Sequence, residues 1–118
     1  MNEEEEFRKA LEAEIIKKHI AELENQLAEI ESKKAELEFL NDSLDEVKGQ
    51  KGKDILVPLG SGVLIKAKLE DDEKVIVNIG SNVLVDRTVE ETKKIINEQI
   101  KELNEVKKLI ENELMKYF

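Results

Sequence analysis

The chain has no cysteine and no tryptophan, and it contains only one histidine and one proline. The absence of cysteine excludes disulfides, thiol nucleophiles and thiolate metal sites. The single histidine, His19, excludes a metal site built from several histidines and also a histidine dyad. No run of 18 apolar residues is present, so the sequence predicts no transmembrane helix.

Motifs for phosphate and metal binding are incomplete. Gly60-Ser61-Gly62 resembles a fragment of a phosphate loop, but the lysine and the following helix of such a loop are missing, and a β-turn is expected. Residues 70–73 are four consecutive acids without the alternating spacing and the glycine of a calcium loop, which favours a solvated hairpin tip. We therefore expect no enzyme activity, no catalytic residue, no metal and no cofactor.

Charge is abundant and predominantly negative. Charged residues and hydrophobic residues each make up 40% of the 118 residues, a composition typical of long helices and coiled coils. The net charge is −9, and residues 1–48 carry 15 acidic against 7 basic residues. Such a surface repels the phosphates of nucleic acids. The glutamates at residues 3–6 are the opposite of the basic residues that begin a signal peptide. We expect a soluble, cytoplasmic protein that binds neither nucleic acid nor membrane.

Residues 1–48 contain no glycine or proline and predict one long helix. Apolar residues recur at alternating spacings of four and three, as at the a and d positions of a coiled coil. These are Ile16, Ile20, Leu23, Leu27, Ile30, Leu37 and Leu44. Lys34 and Asn41 fall in the same seam, and a neighbouring stripe that includes Leu40 predicts a shift of phase after Leu37. A helix of this length, roughly 65–70 Å, requires a partner helix.

Residues 88–118 predict that partner. Thr88 and Glu91 have the spacing of a capping box. The apolar seam that follows consists of Ile96, Ile100, Leu103, Ile110, Leu114 and Tyr117. An antiparallel hairpin within one chain is the economical arrangement, and two separate intermolecular coils are the alternative. Pairing outward from Val47 and Val89 places Phe118 opposite Lys18, so that the first 17 residues extend beyond the second helix.

The segment between the helices predicts two β-hairpins. Four β-rich runs at residues 55–59, 63–69, 75–79 and 83–85 are separated by turn residues. The sequence of residues 57–65 is repeated in similar form twenty residues later, at residues 77–85. No helix remains to cover the apolar faces, and the sheet edges are open. We therefore expect oligomerisation into a β-barrel-like body. The expected interface residues are Ile55, Val57, Leu59, Val63, Ile65, Val75, Val77, Ile79, Val83 and Val85.

The expected fold class is thus α+β, a long antiparallel coiled-coil hairpin with two central β-hairpins. It forms a single domain over residues 1–118, with helices at 1–48 and 88–118 and hairpins at 54–87. This order resembles the alpha class of prefoldin subunits. Residues 55–63 followed by Lys66-Ala67-Lys68 are similar to the first hairpin of that family, and residues 74–80 followed by Val83-Leu84-Val85 are similar to the second.

The resemblance implies an ATP-independent holdase chaperone. Prefoldins hold non-native proteins between their coiled coils and transfer them to a group II chaperonin, and two alpha with four beta subunits typically form a hexamer. Archaea also have a divergent alpha-like form, gamma-prefoldin, which assembles with itself into filaments. The residues do not distinguish the two, so the expected partners are beta-class subunits or copies of the same chain.

The aromatic residues indicate where client proteins would bind. Three of the four aromatic side chains lie within a dozen residues of a terminus, where they are costly to leave in water unless something binds them. The expected client-binding residues are Phe7, Ala10, Leu11, Ile15, Ile16, Met115, Tyr117 and Phe118. For Ile16 and Tyr117, completion of the helix seam is an equally good interpretation. His19 is expected to be a solvated residue at the rim of the seam.

Overall fold

A computed structural model describes residues 2–118. Helix α1 spans Glu3–Val47 and helix α2 spans Val89–Met115. Between them lie the strands β1 (Asp54–Gly60), β2 (Val63–Lys68), β3 (Lys74–Asn78) and β4 (Leu84–Thr88). The chain divides into two compact units. The first contains residues up to Glu36 together with Ile100–Phe118, and the second contains Leu37–Gln99.

Both helices begin at side-chain caps. The Oδ1 atom of Asn2 accepts a hydrogen bond of 2.8 Å from the backbone N–H of Glu5 at the start of α1. At the start of α2, the Thr88 hydroxyl accepts from the Glu91 N–H at 3.0 Å, and the Glu91 carboxylate accepts from the Thr88 N–H at 3.4 Å. The predicted capping box is therefore confirmed. Helix α1 ends before Gly49, which has a φ of +74° that favours glycine.

In the first unit, α1 and α2 pack antiparallel around a small apolar core. Leu23 and Ile30 of α1 and Ile110 of α2 are buried. The partly buried side chains packed against them are Leu27, Leu103, Leu114 and Tyr117. The Nζ atom of Lys107 lies 2.6 Å from a carboxylate oxygen of Glu31 and joins the two helices at the edge of this core. The predicted hairpin within one chain is confirmed.

The helical part of the second unit has the same antiparallel pairing. Leu37, Leu44 and Ile96 are buried. Lys93 forms an ion pair with Asp45 across the helices, and Lys48 forms one with Glu90. These contacts continue the pairing to the ends of the helices that border the strands.

The expected shift of phase directly after Leu37 is wrong. Leu40, which was expected to enter the seam, is 42% exposed, whereas Leu37 and Leu44 remain buried one heptad apart. Between them, the Nδ2 group of Asn41 donates a hydrogen bond of 2.7 Å to Oδ1 of Asn97. This cross-helix bond partly satisfies the Asn41 amide in the seam, so the original heptad continues to Leu44. After Leu44, Val47 is partly buried and Lys48 is exposed.

The strands form two separate antiparallel hairpins, β1–β2 and β3–β4. Val57 is paired with Ile65 in the first hairpin, and Val77 with Val85 in the second. Among residues 2–118, no ladder joins β2 to β3. The acidic residues 70–73 therefore connect two hairpins and are not the tip of one, which corrects the expectation for this segment. Within it, Oδ1 of Asp71 accepts backbone N–H bonds from Glu73 and Lys74.

The twenty-residue repeat appears as a repeated turn. Gly60, Ser61 and Gly62 have φ values of +117°, +50° and +80°, and their counterparts Gly80, Ser81 and Asn82 have +122°, +50° and +61°. The two central residues of each turn, Ser61-Gly62 and Ser81-Asn82, both have positive φ. This is typical of the type I′ turn, whose twist matches that of the two strands. Both hairpins thus close with the same backbone geometry, and asparagine replaces glycine in the second.

Candidate functional site

The first unit contains the point at which α2 ends and α1 continues. The Tyr117 ring lies edge-on to the His19 ring, with 5.7 Å between centroids. The predicted alignment of the chain end with Lys18 is thereby confirmed to within about one residue. Residues 3–18 of α1 precede this contact, and as helix they rise roughly 24 Å.

Large apolar side chains are exposed at this end of the first unit. Phe7 is 67% exposed on α1, and Phe118 is 87% exposed after the end of α2. The other expected client-binding residues that are exposed are Ala10, Leu11, Ile15, Ile16 and Met115. Exposed apolar clusters of this kind mark binding surfaces more often than scattered single residues do. The assignment of these residues to client binding remains a prediction.

Tyr117 has a different environment from the other expected residues. It is partly buried, and with Leu114 it packs against the core formed by Leu23, Ile30 and Ile110. Its ring therefore contributes to the helix seam. Its role in client binding also remains a prediction.

His19 takes part in contacts that sequence reasoning missed. Its Nε2 atom lies 3.8 Å from Oε1 of Glu113, and its ring contacts Tyr117. A hydrogen bond from Lys116, at 2.9 Å, lowers the pKa of the Glu113 carboxyl below its usual range, and the nearby His19 lowers it further. Pairing the helices outward from Val47 and Val89 places His19 opposite Tyr117, but this alignment does not indicate that their rings are in contact.

Ion pairs between the helices keep several acids charged. The hydrogen bond from Lys107 lowers the pKa of Glu31, and the hydrogen bond from Lys93 lowers the pKa of Asp45. These pairs lie at the surface, where each contributes little to stability. Their main effect is to favour one antiparallel register over its neighbours.

The hairpins of the second unit present apolar side chains on both faces. The face expected to form the interface carries the partly buried residues Val57, Val75, Val77 and Val85. The expected interface residues that are exposed are Ile55, Leu59, Val63, Ile65, Ile79 and Val83. Leu56, Leu64, Ile76 and Leu84 are exposed as well, and cross-strand pairing places them on the opposite faces. Hairpins this small are only marginally stable without further packing.

Neither a metal site nor a membrane-spanning helix is present among residues 2–118. No three acidic or histidine side chains of this range are grouped so that they could hold a metal ion. None of the helices within it combines the length and apolar character needed to cross a membrane.

The family model described as prefoldin subunit matches residues 16–117. The chain belongs to the prefoldin family. Its fold is similar to that of filamentous PFD from Methanocaldococcus jannaschii, solved by cryo-EM, with a TM-score of 0.78 and 28% sequence identity. That match covers 92% of this chain and 89% of the other. No curated protein matches the chain.

Membership of the family confirms the resemblance to prefoldin subunits noted in the sequence. Prefoldin is a non-enzymatic chaperone family, and its subunits assemble with themselves or with other prefoldin subunits. The two β-hairpins between two long helices are the hairpin fold of the family.

Proposed function

We propose that this prefoldin is an ATP-independent holdase, active as a single domain over residues 1–118, which captures non-native proteins at the end of its helical hairpin. One observation carries the proposal: α1 continues past the end of α2 and exposes Phe7, Leu11 and Ile15, and the end of α2 exposes Met115 and Phe118. These side chains have no structural role in the helix seam. Their exposure is therefore best explained by an apolar partner.

The chemistry of this surface suits many partners. Aromatic, aliphatic and thioether side chains on a convex helix can contact unfolded segments of varied shape, and methionine is especially adaptable. Each such side chain contributes roughly 1–2 kcal/mol when it is buried. No step of this binding requires nucleotide hydrolysis, because release needs only a competing surface.

Weak individual contacts make assembly essential to the function. We infer that the apolar hairpin faces join subunits into a β-barrel-like body, so that a client meets several helical ends at high effective concentration. The partners are copies of this chain or beta-class subunits. Transfer of the client to a group II chaperonin in the cytoplasm follows from the resemblance to the alpha class.

A second candidate function is supported by the structural match to a filamentous PFD. In that case the chain assembles with itself into filaments in which the helical hairpins serve as spacers or docking arms. Electron microscopy of the purified protein separates the two assemblies, since a hexamer gives closed particles and a homopolymer gives filaments.

The holdase function is tested by aggregation of an unfolding test protein, with and without ATP. Deletion of residues 1–12 and 115–118 should leave assembly intact and abolish protection. The triple variant F7S/L11S/F118S should have the same effect without shortening the chain. A matched control is F39S/L109S, which removes side chains that are 75% and 69% exposed elsewhere on the helices. Full protection by the triple variant would place the client site elsewhere.

A further inference from the structure

The part of α1 that precedes His19 carries an apolar stripe separate from the seam. Phe7, Leu11 and Ile15 are exposed and spaced four residues apart, which places them along one side of the helix. Phe7 lies roughly opposite Leu23 around the helix, by the 3.6-residue period. We refer to Phe7, Leu11 and Ile15 as the N-terminal stripe.

The surroundings of the N-terminal stripe are acidic. Side chains three or four positions from a helical residue are its neighbours on the helix surface. By this rule the charged neighbours are four glutamates and two bases, all of them exposed: Glu3, Glu4, Glu12, Glu14, Arg8 and Lys18. An apolar stripe with a local excess of negative charge attracts apolar segments that also carry positive charge.

The acids are not needed to cap the helix. Asn2 already accepts the N–H bond of Glu5 through Oδ1. Favourable interaction of carboxylates with the helix dipole is confined to the first turn, and Glu12 and Glu14 lie beyond it. The cap and the helix dipole therefore do not account for these two glutamates.

We propose that the N-terminal stripe selects client segments that are both apolar and positively charged. The proposal rests on the proposed client-binding function and adds a preference to it. Acidic apolar segments bind more weakly, because their charges repel the glutamates beside the stripe. The whole chain, with a net charge of −9, adds a longer-range attraction for the same clients.

The test uses two fluorescent amphipathic peptides with identical apolar positions, one with lysine and the other with glutamate at every polar position. Their affinities for the assembled full-length protein are measured by fluorescence anisotropy. The basic peptide should bind roughly three- to tenfold more tightly, and added salt should reduce the difference. Equal affinities for the two peptides would overturn the preference and leave the client surface in place.

Two variants with equal net charge locate the preference. E4Q/E12Q/E14Q makes the neighbours of the stripe basic on balance, and it should bring the two affinities within about twofold of each other. E24Q/E38Q/E98Q removes exposed charges elsewhere and should keep the preference. An equal loss in both variants would show that the overall charge is responsible and would overturn the proposal.

The variant F7S/L11S separates this proposal from the function on which it depends. It should lose binding of both peptides, since the apolar contact is common to them. If the wild-type protein binds neither peptide yet protects an aggregating protein, both the preference and the assigned client surface are wrong.

Discussion

At the scale of single residues, position in the helix seam matters more than side-chain size. Leu37 is 5% exposed, whereas the larger Phe39, two residues later, is 75% exposed. The free energy of unfolding depends on the apolar area removed from water and on the cavity left by a deletion. These two neighbouring positions therefore provide a direct comparison.

We predict that L37A lowers the free energy of unfolding by about 2–4 kcal/mol, because it leaves a cavity between α1 and α2. F39A should change it by less than about 0.5 kcal/mol, since Phe39 lies at the surface. Urea denaturation followed by circular dichroism, at one fixed chain concentration, measures both. Similar losses in the two variants would mean that Phe39 is buried in the assembly.

Asp71 gives a prediction about pH. Backbone N–H bonds from Glu73 and then Lys74 lower the pKa of its carboxyl below its usual range. A carboxyl with a lowered folded pKa stabilises the fold above its unfolded pKa, and this contribution is lost as pH falls through the folded pKa. D71N should therefore be less stable than the wild type at neutral pH, and the difference should shrink as pH falls below the usual range of an aspartate pKa. A difference that does not depend on pH would contradict this account.

At the scale of helices and strands, the polar pair Asn41–Asn97 fixes how α1 and α2 align. Its 2.7 Å hydrogen bond is formed in one register only. A shift by one heptad would break this bond, because Asn41 would lie opposite Glu90 or Asn104, and Asn97 opposite Lys34 or Lys48. The pair therefore favours the observed register at some expense of stability.

We predict that cysteines placed at Asn41 and Asn97 form a disulfide within one chain under mild oxidation. The matched control places cysteines at Asn41 and Asn104, which are displaced by one heptad, and it should give little intramolecular product. Electrophoresis without reductant separates monomeric from dimeric crosslinked species. Dimers as the main product of the first pair would contradict the intramolecular hairpin.

The elements were predictable from sequence where a single periodicity dominates. The heptad spacing of α1, the capping box at Thr88 and the two repeated hairpins all follow local rules, and all are present. The continuation of the seam through Asn41 was not predictable, because a count of apolar residues ignores a hydrogen bond between helices. The contact between His19 and Tyr117 was also missed, because the spacing of apolar residues does not indicate a contact between two rings.

The candidate site was predictable only in part. Sequence placed aromatic residues near the chain ends, and the structure shows that Phe7 and Phe118 are exposed there. Sequence could not decide between packing in the seam and client binding for Tyr117, since a residue at a seam position can be packed or exposed depending on where the partner helix ends. The structure shows Tyr117 packed against the core.

At the scale of the whole molecule, assembly depends on which face of each hairpin is covered. Val77 and Val85 are cross-strand partners on the face expected to form the interface, and Ile76 lies on the other face of the same strand. We predict that V77K breaks the assembly into smaller species with their helical content intact, because it buries a charge in an apolar interface.

I76K is the matched control, and it should assemble as the wild type does. Light scattering gives the particle mass and circular dichroism the helical content. A wild-type mass for V77K together with a reduced mass for I76K would assign the interface to the opposite face.

Site-specific photo-crosslinking tests whether clients bind at the end of the helical hairpin. A photoreactive phenylalanine analogue is placed at Phe7 or at Phe39, which are similarly exposed at 67% and 75%. Each assembled protein is mixed with an unfolding test protein and irradiated. We predict strong crosslinking of the test protein at position 7 and little at position 39. Equal crosslinking at both positions, or stronger crosslinking at position 39, would contradict this prediction.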